Sequence, residues 1–414
     1  MATYLELNKD LTEEEKAIKE QVHRFAADIL RPASIELDKM PPEKVIDEDS
    51  PYWGVFRQAY QLGYSRSYLP PALGGPGLSP LARHIYTEEM GWGSADFAVG
   101  IGVTSFPFGY AAMSGNQEIL QQHVLPFTQD NEARHIGCWA ITEPQHGSDM
   151  LMVGTETFRD PEAVGEVRAH SDGDDWVING QKSAWVSNGT VATHALLFLN
   201  TDKSRGQEGG GVAFVPLNLP GITKGKPLDK LGQRALNQGE IFFDNVRLPK
   251  HYMIVGPESY SYVLHSVLAG ANAFMGATFT GLARAAFEEG LNYARNRLQG
   301  GKPITEHQAV QLKIVDMFIK VETARQFSRA ALVFNSKTSP PEVQYSQASK
   351  VYCTQAAFEV ASAALQLHGG MGLAKEMLIE KLFRDARASL IEDGTNEVMS
   401  LSAARKIIDT YQTS

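Results

Sequence analysis

Ile18, Val22, Phe25 and Ile29 recur three or four residues apart, the spacing that lines one face of an α-helix. Helical spacing continues to about Phe127, punctuated at Pro70-Pro71 and at Gly74-Gly75-Pro76-Gly77. Thr12 and Glu15 read as a capping box that opens the first helix. Between about Gly137 and Gly256 the texture changes to short β-branched or alternating runs, such as Trp176-Val177-Ile178 and Gly211-Val212-Ala213-Phe214-Val215, cut by Gly, Asn and Asp turns. The run at Gln207-Glu208-Gly209 predicts an exposed hairpin between two of these strands. Beyond Gly256 long helical segments return, with turn signals confined to residues 299–303 and 337–341. The pattern predicts an α+β fold: an α-helical domain over residues 1–136, a β domain over 137–256 and a four-helix bundle over 257–414.

Composition narrows the function classes. The chain has 414 residues, 43% hydrophobic and 21% charged, enough for two or three packed domains. Its 38 Lys and Arg against 48 Asp and Glu give a formal net charge of -10, and no basic stripe runs along it. Nucleic acid and anionic membrane surfaces are therefore not expected partners. Any phosphate-bearing ligand has to be met by individually placed groups. Cys138 and Cys353 are the only cysteines, with no metal-ligand spacing and no disulfide framework, so a reducing, cytoplasmic setting is expected. No signal-peptide pattern is read at the N-terminus. The most apolar long stretch, residues 262–287, carries His265, Asn272, Arg284 and several glycines, which predicts a buried helix rather than a membrane span.

Five motifs carry candidate chemistry. Near the C-terminus, Arg384-Asp385 is followed eight residues after the aspartate by Asp393, within Ile391-Glu392-Asp393-Gly394-Thr395-Asn396-Glu397. A carboxylate before Gly-Thr, on a turn closing a helical run, can act as a base beside a hydroxyl that contacts a cofactor. Upstream are Thr142-Glu143-Pro144-Gln145-His146-Gly147-Ser148-Asp149, then Lys182-Ser183-Ala184-Trp185-Val186-Ser187, then Tyr293 with Arg297 and Gln308, then Gln366-Leu367-His368-Gly369-Gly370. Each alone is an ordinary turn, strand or helix end.

Together, and in this order from about Leu11 to Ile407, they resemble the signature of the acyl-CoA dehydrogenase family. The resemblance implies an FAD enzyme whose catalytic carboxylate, here Asp393, removes the proton α to a thioester carbonyl while hydride leaves the neighbouring carbon. It implies that Trp139, Ile141, Thr142, Ser148, Trp185 and Ser187 meet the flavin or its diphosphate, and that Thr395 and Glu397 contact it after the catalytic acid. A β-bulge is expected to absorb the extra residue before Trp185 and keep that side chain inward. It implies that Arg297, in an element with Gln308, pairs with the diphosphate of a flavin bound across a subunit interface in a homotetramer, and that the Gln366-Gly369-Gly370 turn approaches the adenosine side of the cofactor. Acyl-CoA is the implied substrate and electron-transfer flavoprotein the implied electron acceptor.

Two departures bear on the substrate. Most of the family carries Glu where this chain has Asp393, and an acid one methylene shorter needs a substrate about 1 Å closer. A compact, branched or alicyclic acyl group is expected. Some branches place the base near residue 271, but here Ala271 and Asn272 supply none. The acyl pocket is expected to involve Phe106, Ala271, Asn272, Glu392 and Gly394, with Asp96 either a helix cap or a second acid facing a ring carbon. Glu392 is expected to be a surface or salt-bridged group. A nitroalkane oxidase-like flavoenzyme, which also uses Asp, and a non-catalytic flavin- or CoA-ester-binding protein are the alternatives.

Overall fold

A computed structural model describes residue 7 and residues 10–412. The N-terminal part is helical: α1 (Glu13–Phe25), α2 (Arg31–Leu37), α3 (Pro51–Gln61), α4 (Pro80–Gly93), α5 (Ala95–Thr104) and α6 (Phe106–Met113), with short helical turns between and after them. The expected capping box opens α1: Glu15 N–H donates to Thr12 Oγ1 at 3.2 Å, and Thr12 N–H to the Glu15 carboxylate at 2.9 Å. Ser94 separates α4 from α5 and caps the latter, accepting from Phe97 N–H at 3.3 Å.

The middle of the chain forms a sheet of β1 (Gly137–Ala140), β2 (Arg168–Asp172), β3 (Asp175–Lys182), β4 (His194–Asn200), β5 (Gly210–Pro216), β6 (Ile222–Lys224), β7 (Ile241–Pro249) and β8 (Met253–Val255). The strand order is β6-β7-β3-β2-β4-β5-β8, and β1 runs parallel to β4. Every residue of β4 and β5 is buried, which is why their sequences read as continuous apolar runs instead of alternating. The hairpin expected at Gln207 is instead a 3₁₀ turn, Lys203–Gly209. Gln207 is buried there and its amide donates to Ala163 O at 3.2 Å, a partner that an exposed hairpin would not supply.

Helices return as α7 (Pro257–Asn296), α8 (Gln308–Asn335), α9 (Val343–His368), α10 (Leu378–Ser389) and α11 (Asn396–Thr410). The apolar stretch 262–287 lies inside α7, the long central helix, and no helix among the described residues is long and apolar enough to cross a membrane. Between α7 and α8, Leu298–Gln299 pairs antiparallel with Lys302–Pro303 around Gly300 and Gly301, whose φ values are 63° and 79°. That left-handed turn explains glycine at residue 300.

Two buried polar anchors fix these layers against one another. Asn188, just past β3, donates to Gly100 O in α5 at 2.9 Å and to Gly137 O in β1 at 3.1 Å. Asp96 is fully buried and joins all three parts of the chain. Its carboxylate accepts from Ser34 Oγ at 3.1 Å, from Ala235 N–H at 3.1 Å and from Lys381 Nζ at 3.2 Å. Burial opposes its ionisation, but Lys381, Ser94 and the Ala235 amide outweigh burial and hold the carboxyl below its usual range. Asp96 is thus enclosed by protein donors, among them Phe97 N–H at the start of α5 at 3.0 Å, so of its two expected roles the structure favours the helix cap over a second acid in the acyl pocket.

Lys381 also pairs with Asp385, so replacing it would strand two buried carboxylates. Lys381→Met is expected to cost about 3–5 kcal/mol, read as a lowered urea midpoint at neutral pH. The loss should shrink as pH falls, because the unpaired carboxyls can then take up protons.

Candidate active site

The turn between α10 and α11 is held in a conformation that its residues do not choose freely. Asp393 has φ 52° and Gly394 φ 90°. A left-handed non-glycine residue persists only where its surroundings over-determine it. Lys350, fully buried in α9, donates from Nζ to Gly394 O at 2.7 Å and to Asn396 Oδ1 at 2.8 Å. Thr395 N–H donates to Ser148 Oγ at 3.0 Å, and the Thr395 hydroxyl caps α11 by accepting from Val398 N–H at 3.3 Å. A Cβ on Gly394 would lie 2.5 Å from Met399 Cε, so a side chain there would displace the Met399 tip as well as strain the backbone. The Asp393 N–H has no acceptor among the described residues.

Asp393 stands in the shared wall of two cavities. One, of about 350 Å³, is enclosed by Val99, Val103, Phe106, Tyr110, Ala271, Phe274 and neighbouring residues of α4 to α8. The other, of about 1030 Å³, lies between the Thr142–Ser148 loop, the end of β3, residues 230–240 and the Asp393 turn. Val99, Val103, Trp139 and Asp393 line both. Trp139 stacks on Phe106 with ring centroids 5.9 Å apart and forms part of the partition.

Electrostatics single out the same turn. Burial raises the Asp393 carboxyl to about 6, against the lowering pull of Lys350. Burial pushes the Lys350 ammonium down to about 8 against the field of Asp393, Glu392 and Glu397. Glu392 is raised to about 7, chiefly by burial and further by Asp393, while Gln233, Lys230 and Lys350 act the other way. Its carboxylate accepts from Gln233 Nε2 at 2.9 Å. A carboxylate poised near neutrality in a cavity wall can exchange a proton with a bound molecule.

The expected residues divide into three sets. Trp139, Ile141, Thr142, Ser148, Trp185, Ser187 and Thr395 all line the larger cavity. Phe106 and Ala271 line the smaller one. Arg297, Gln308, Gln366, Gly369, Gly370 and Glu397 are exposed and line neither cavity of their own chain. Arg297 and the Gly369-Gly370 turn nevertheless share one end of the bundle, because Tyr293 stacks on His368 at 4.0 Å and donates its hydroxyl to His368 O at 3.2 Å.

Several expectations need correction. Glu392 and Gly394 line the larger cavity rather than the smaller one lined by Phe106 and Ala271, and Glu392 is turned toward Gln233. Asn272 is buried outside both linings and donates to Asp393 O at 3.5 Å, so it faces the backbone of the turn. Trp185 is not on a strand: β3 ends at Lys182, and the register shift in β3 falls earlier, between Ile178 and Gly180. The extra residue is taken up in a turn, where Trp185 is 57% exposed at the cavity rim. Gln238 holds that turn, donating to Trp185 O at 3.1 Å and to Ser187 Oγ at 3.3 Å.

Glu143 of the Thr-Glu-Pro sequence anchors its loop from within. Its buried carboxylate accepts from Lys182 Nζ at 2.6 Å and Val167 N–H at 3.2 Å, while Lys182 also donates to Ile141 O at 2.9 Å. Sequence reasoning overlooked Lys350, Lys230, Gln233 and Arg387. Lys350 had a signal: it falls in helical register with Ser346, Cys353 and Ala357, a position for which an unpaired lysine is unsuited.

The larger cavity suits the FAD that the motifs imply. Trp139 Nε1 and Arg387 Nη1 are buried N–H groups without an acceptor among the described residues, and both side chains line it. Such groups fit a ligand rich in carbonyl, ring-nitrogen and phosphate acceptors.

Comparison with known proteins gives the same assignment. Family models described as the acyl-CoA dehydrogenase N-terminal, middle and C-terminal domains match residues 12–132, 138–246 and 262–408. Short-chain specific acyl-CoA dehydrogenase, mitochondrial, of Bos taurus is 32% identical over 97% of this chain and 92% of its own length. Cyclohex-1-ene-1-carbonyl-CoA dehydrogenase of Geobacter metallireducens is 29% identical over 97% of this chain and 99% of its own. The structure of butyryl-CoA dehydrogenase from Megasphaera elsdenii superposes with a TM-score of 0.84 at 25% identity, covering 97% of this chain and all of that one. The chain belongs to the acyl-CoA dehydrogenase family of FAD-dependent oxidoreductases acting on CH–CH bonds.

Proposed function

We propose that the protein dehydrogenates a compact, branched or alicyclic acyl-CoA thioester between its α and β carbons, with Asp393 as the base. The supporting observation is the place of Asp393 in the wall common to the acyl-side and flavin-side cavities. A proton taken there leaves the α carbon on one side of the partition, close to the cofactor on the other. FAD, when bound, supplies the hydride acceptor. The Asp393 N–H, free of protein acceptors, is placed to donate to the thioester oxygen as negative charge develops on it. Lys350 and Ser148 hold that amide and the carboxylate in one fixed turn, so neither has to be organised during the reaction.

In this reading Trp139, Ile141, Thr142, Ser148, Trp185, Ser187 and Thr395 meet the flavin of their own chain. Arg297, Gln308, Gln366, Gly369, Gly370 and Glu397 serve a neighbouring subunit's cofactor in a homotetramer, a role suited to exposed residues that do not reach their own cavity. The substrate class draws support from the short Asp393 side chain, from the aromatic and branched lining at Val99, Val103 and Phe106, and from the name of the Geobacter metallireducens relative. Electron-transfer flavoprotein is the acceptor that family membership suggests.

Anaerobic titration of the holoenzyme with straight-chain, branched and alicyclic acyl-CoA esters is expected to bleach the flavin with the compact branched or ring esters. Bleaching by long straight chains alone would overturn the substrate class, and bleaching by a nitroalkane alone would overturn the thioester reading. Asp393→Asn should retain its FAD but lose bleaching rate by about 10²–10⁴-fold. Because the base acts only when ionised, the single-turnover rate should rise with pH through about 6 and then level. Lys350→Met removes the cation that favours the charged carboxylate, so the inflection should move up by about 1 pH unit or more.

A further inference from the structure

The acyl-side cavity has two charged residues in its wall, and only Asp393 is used by the reaction proposed above. The other is Arg83, in the first turn of α4. Its side chain is half-buried, and its Nε is buried with no hydrogen-bond partner among the described residues. The guanidinium lies over the ring of Tyr68, 5.6 Å from Cζ to the centroid, and no carboxylate of the described residues pairs with it.

Three of its polar neighbours in the lining are already committed. Tyr68 OH bonds Thr87 Oγ1 at 2.7 Å. Asn335 donates to Ser346 Oγ at 2.8 Å and to Glu342 O at 3.1 Å, and accepts from Glu342 N–H at 2.9 Å. Ser336 Oγ donates to Val333 O at 2.7 Å. Trp139 Nε1 also lacks an acceptor among the described residues, but Arg83 is the one cation in a wall that is otherwise largely apolar.

A guanidinium N–H withdrawn from water without a partner is costly, and an anion that accepts from the fork offsets the loss. Arg83 is not among the four residues shared with the flavin-side cavity, so the anion is not the cofactor's. It belongs to whatever fills the acyl-side cavity. We infer that Arg83 is a specificity-determining residue that pairs with an anionic oxygen group of the thioester substrate, either a carboxylate on the acyl moiety or a phosphate of CoA. The inference rests on the thioester reading given above.

Three ligands separate the sources: a methyl-ended acyl-CoA, the carboxylate-ended acyl-CoA of equal length, and the methyl-ended acyl-pantetheine, which has no phosphates. Dissociation constants would be measured by calorimetry on holoenzyme, with flavin bleaching followed in parallel, for the native protein, Arg83→Gln and Arg83→Lys. Equal flavin content and melting temperature would verify the fold of each variant. Arg83→Gln is expected to weaken binding of the anion-bearing ligand by about 10- to 100-fold, with Arg83→Lys recovering part of it and the saturated bleaching rate little changed. Loss confined to the carboxylate-ended ester places the anion on the acyl group. Loss for both CoA esters but not the pantetheine thioester places it on CoA. Unchanged affinity for all three in Arg83→Gln would overturn the inference. Bleaching without dependence on Arg83 defeats this inference alone, whereas Arg83-dependent binding without bleaching defeats the dehydrogenation reading and leaves Arg83 its role.

Discussion

Lys381 holds two buried carboxylates, and the arrangement of the active turn follows from that contact. Through Asp96 it ties α10 to α2, α5 and the loop at Ala235; through Asp385 it reaches Gln233, whose backbone N–H donates to Asp385 Oδ1 and whose amide donates to Glu392. An unbroken chain of buried polar contacts therefore runs from the N-terminal helices to the residue preceding Asp393. Displacing any one of these partners strands a buried polar group, which makes the network intolerant of displacement. The Arg384-Asp385 pair in the signature is explained in the same terms. Arg384 bonds Asp38, Glu380 and Leu231 O, so both residues are clamps that set where α10 ends, and Asp393 follows at a fixed distance along the chain.

The turn itself balances opposing electrostatic demands. Burial raises Asp393, while Lys350 pulls the other way. Lys350 performs this from a position where its hydrogen bonds go to the backbone and to Asn396, not to the carboxylate. The charge is thus felt by Asp393 without tying up its oxygens. A direct salt bridge would have depressed the carboxyl further and blocked its approach to a substrate.

Much of this was legible in the chain. The change from helical spacing to β-branched runs and back reports burial geometry, and the helix, sheet and bundle order follows from it. The loop at Thr142 and the turn at Asp393 were readable because both rest on local requirements: small residues, a cap and a left-handed turn. What escaped was long-range. Asp96 was a candidate acid because sequence places it beside the pocket segment, but its role is decided by Lys381, 285 residues away. Glu392 reads from the sequence as a surface or salt-bridged group because nothing local announces Gln233. The position of Trp185 was misjudged for the opposite reason: local pattern suggested a strand, but pairing with β7 ends at Lys182 and leaves the residues beyond it to the turn.

The larger cavity also bears on how stability is distributed. Trp139 Nε1 and Arg387 Nη1 are buried donors with no acceptor among the described residues, and an unsatisfied buried donor costs on the order of 1–3 kcal/mol. Folding accepts that cost at two places in the lining of the cavity. In the reading proposed above, cofactor acceptors satisfy both groups, so FAD binding is linked to folding by mass action and the folded state is favoured in proportion to cofactor occupancy. The partition between the two cavities shares this dependence. Trp139 carries one orphaned donor and stacks on Phe106, so whatever fixes its indole on the flavin side also fixes the wall of the acyl side. Cofactor binding and the shape of the acyl pocket are in this way set by one side chain, at the point where Asp393 faces both.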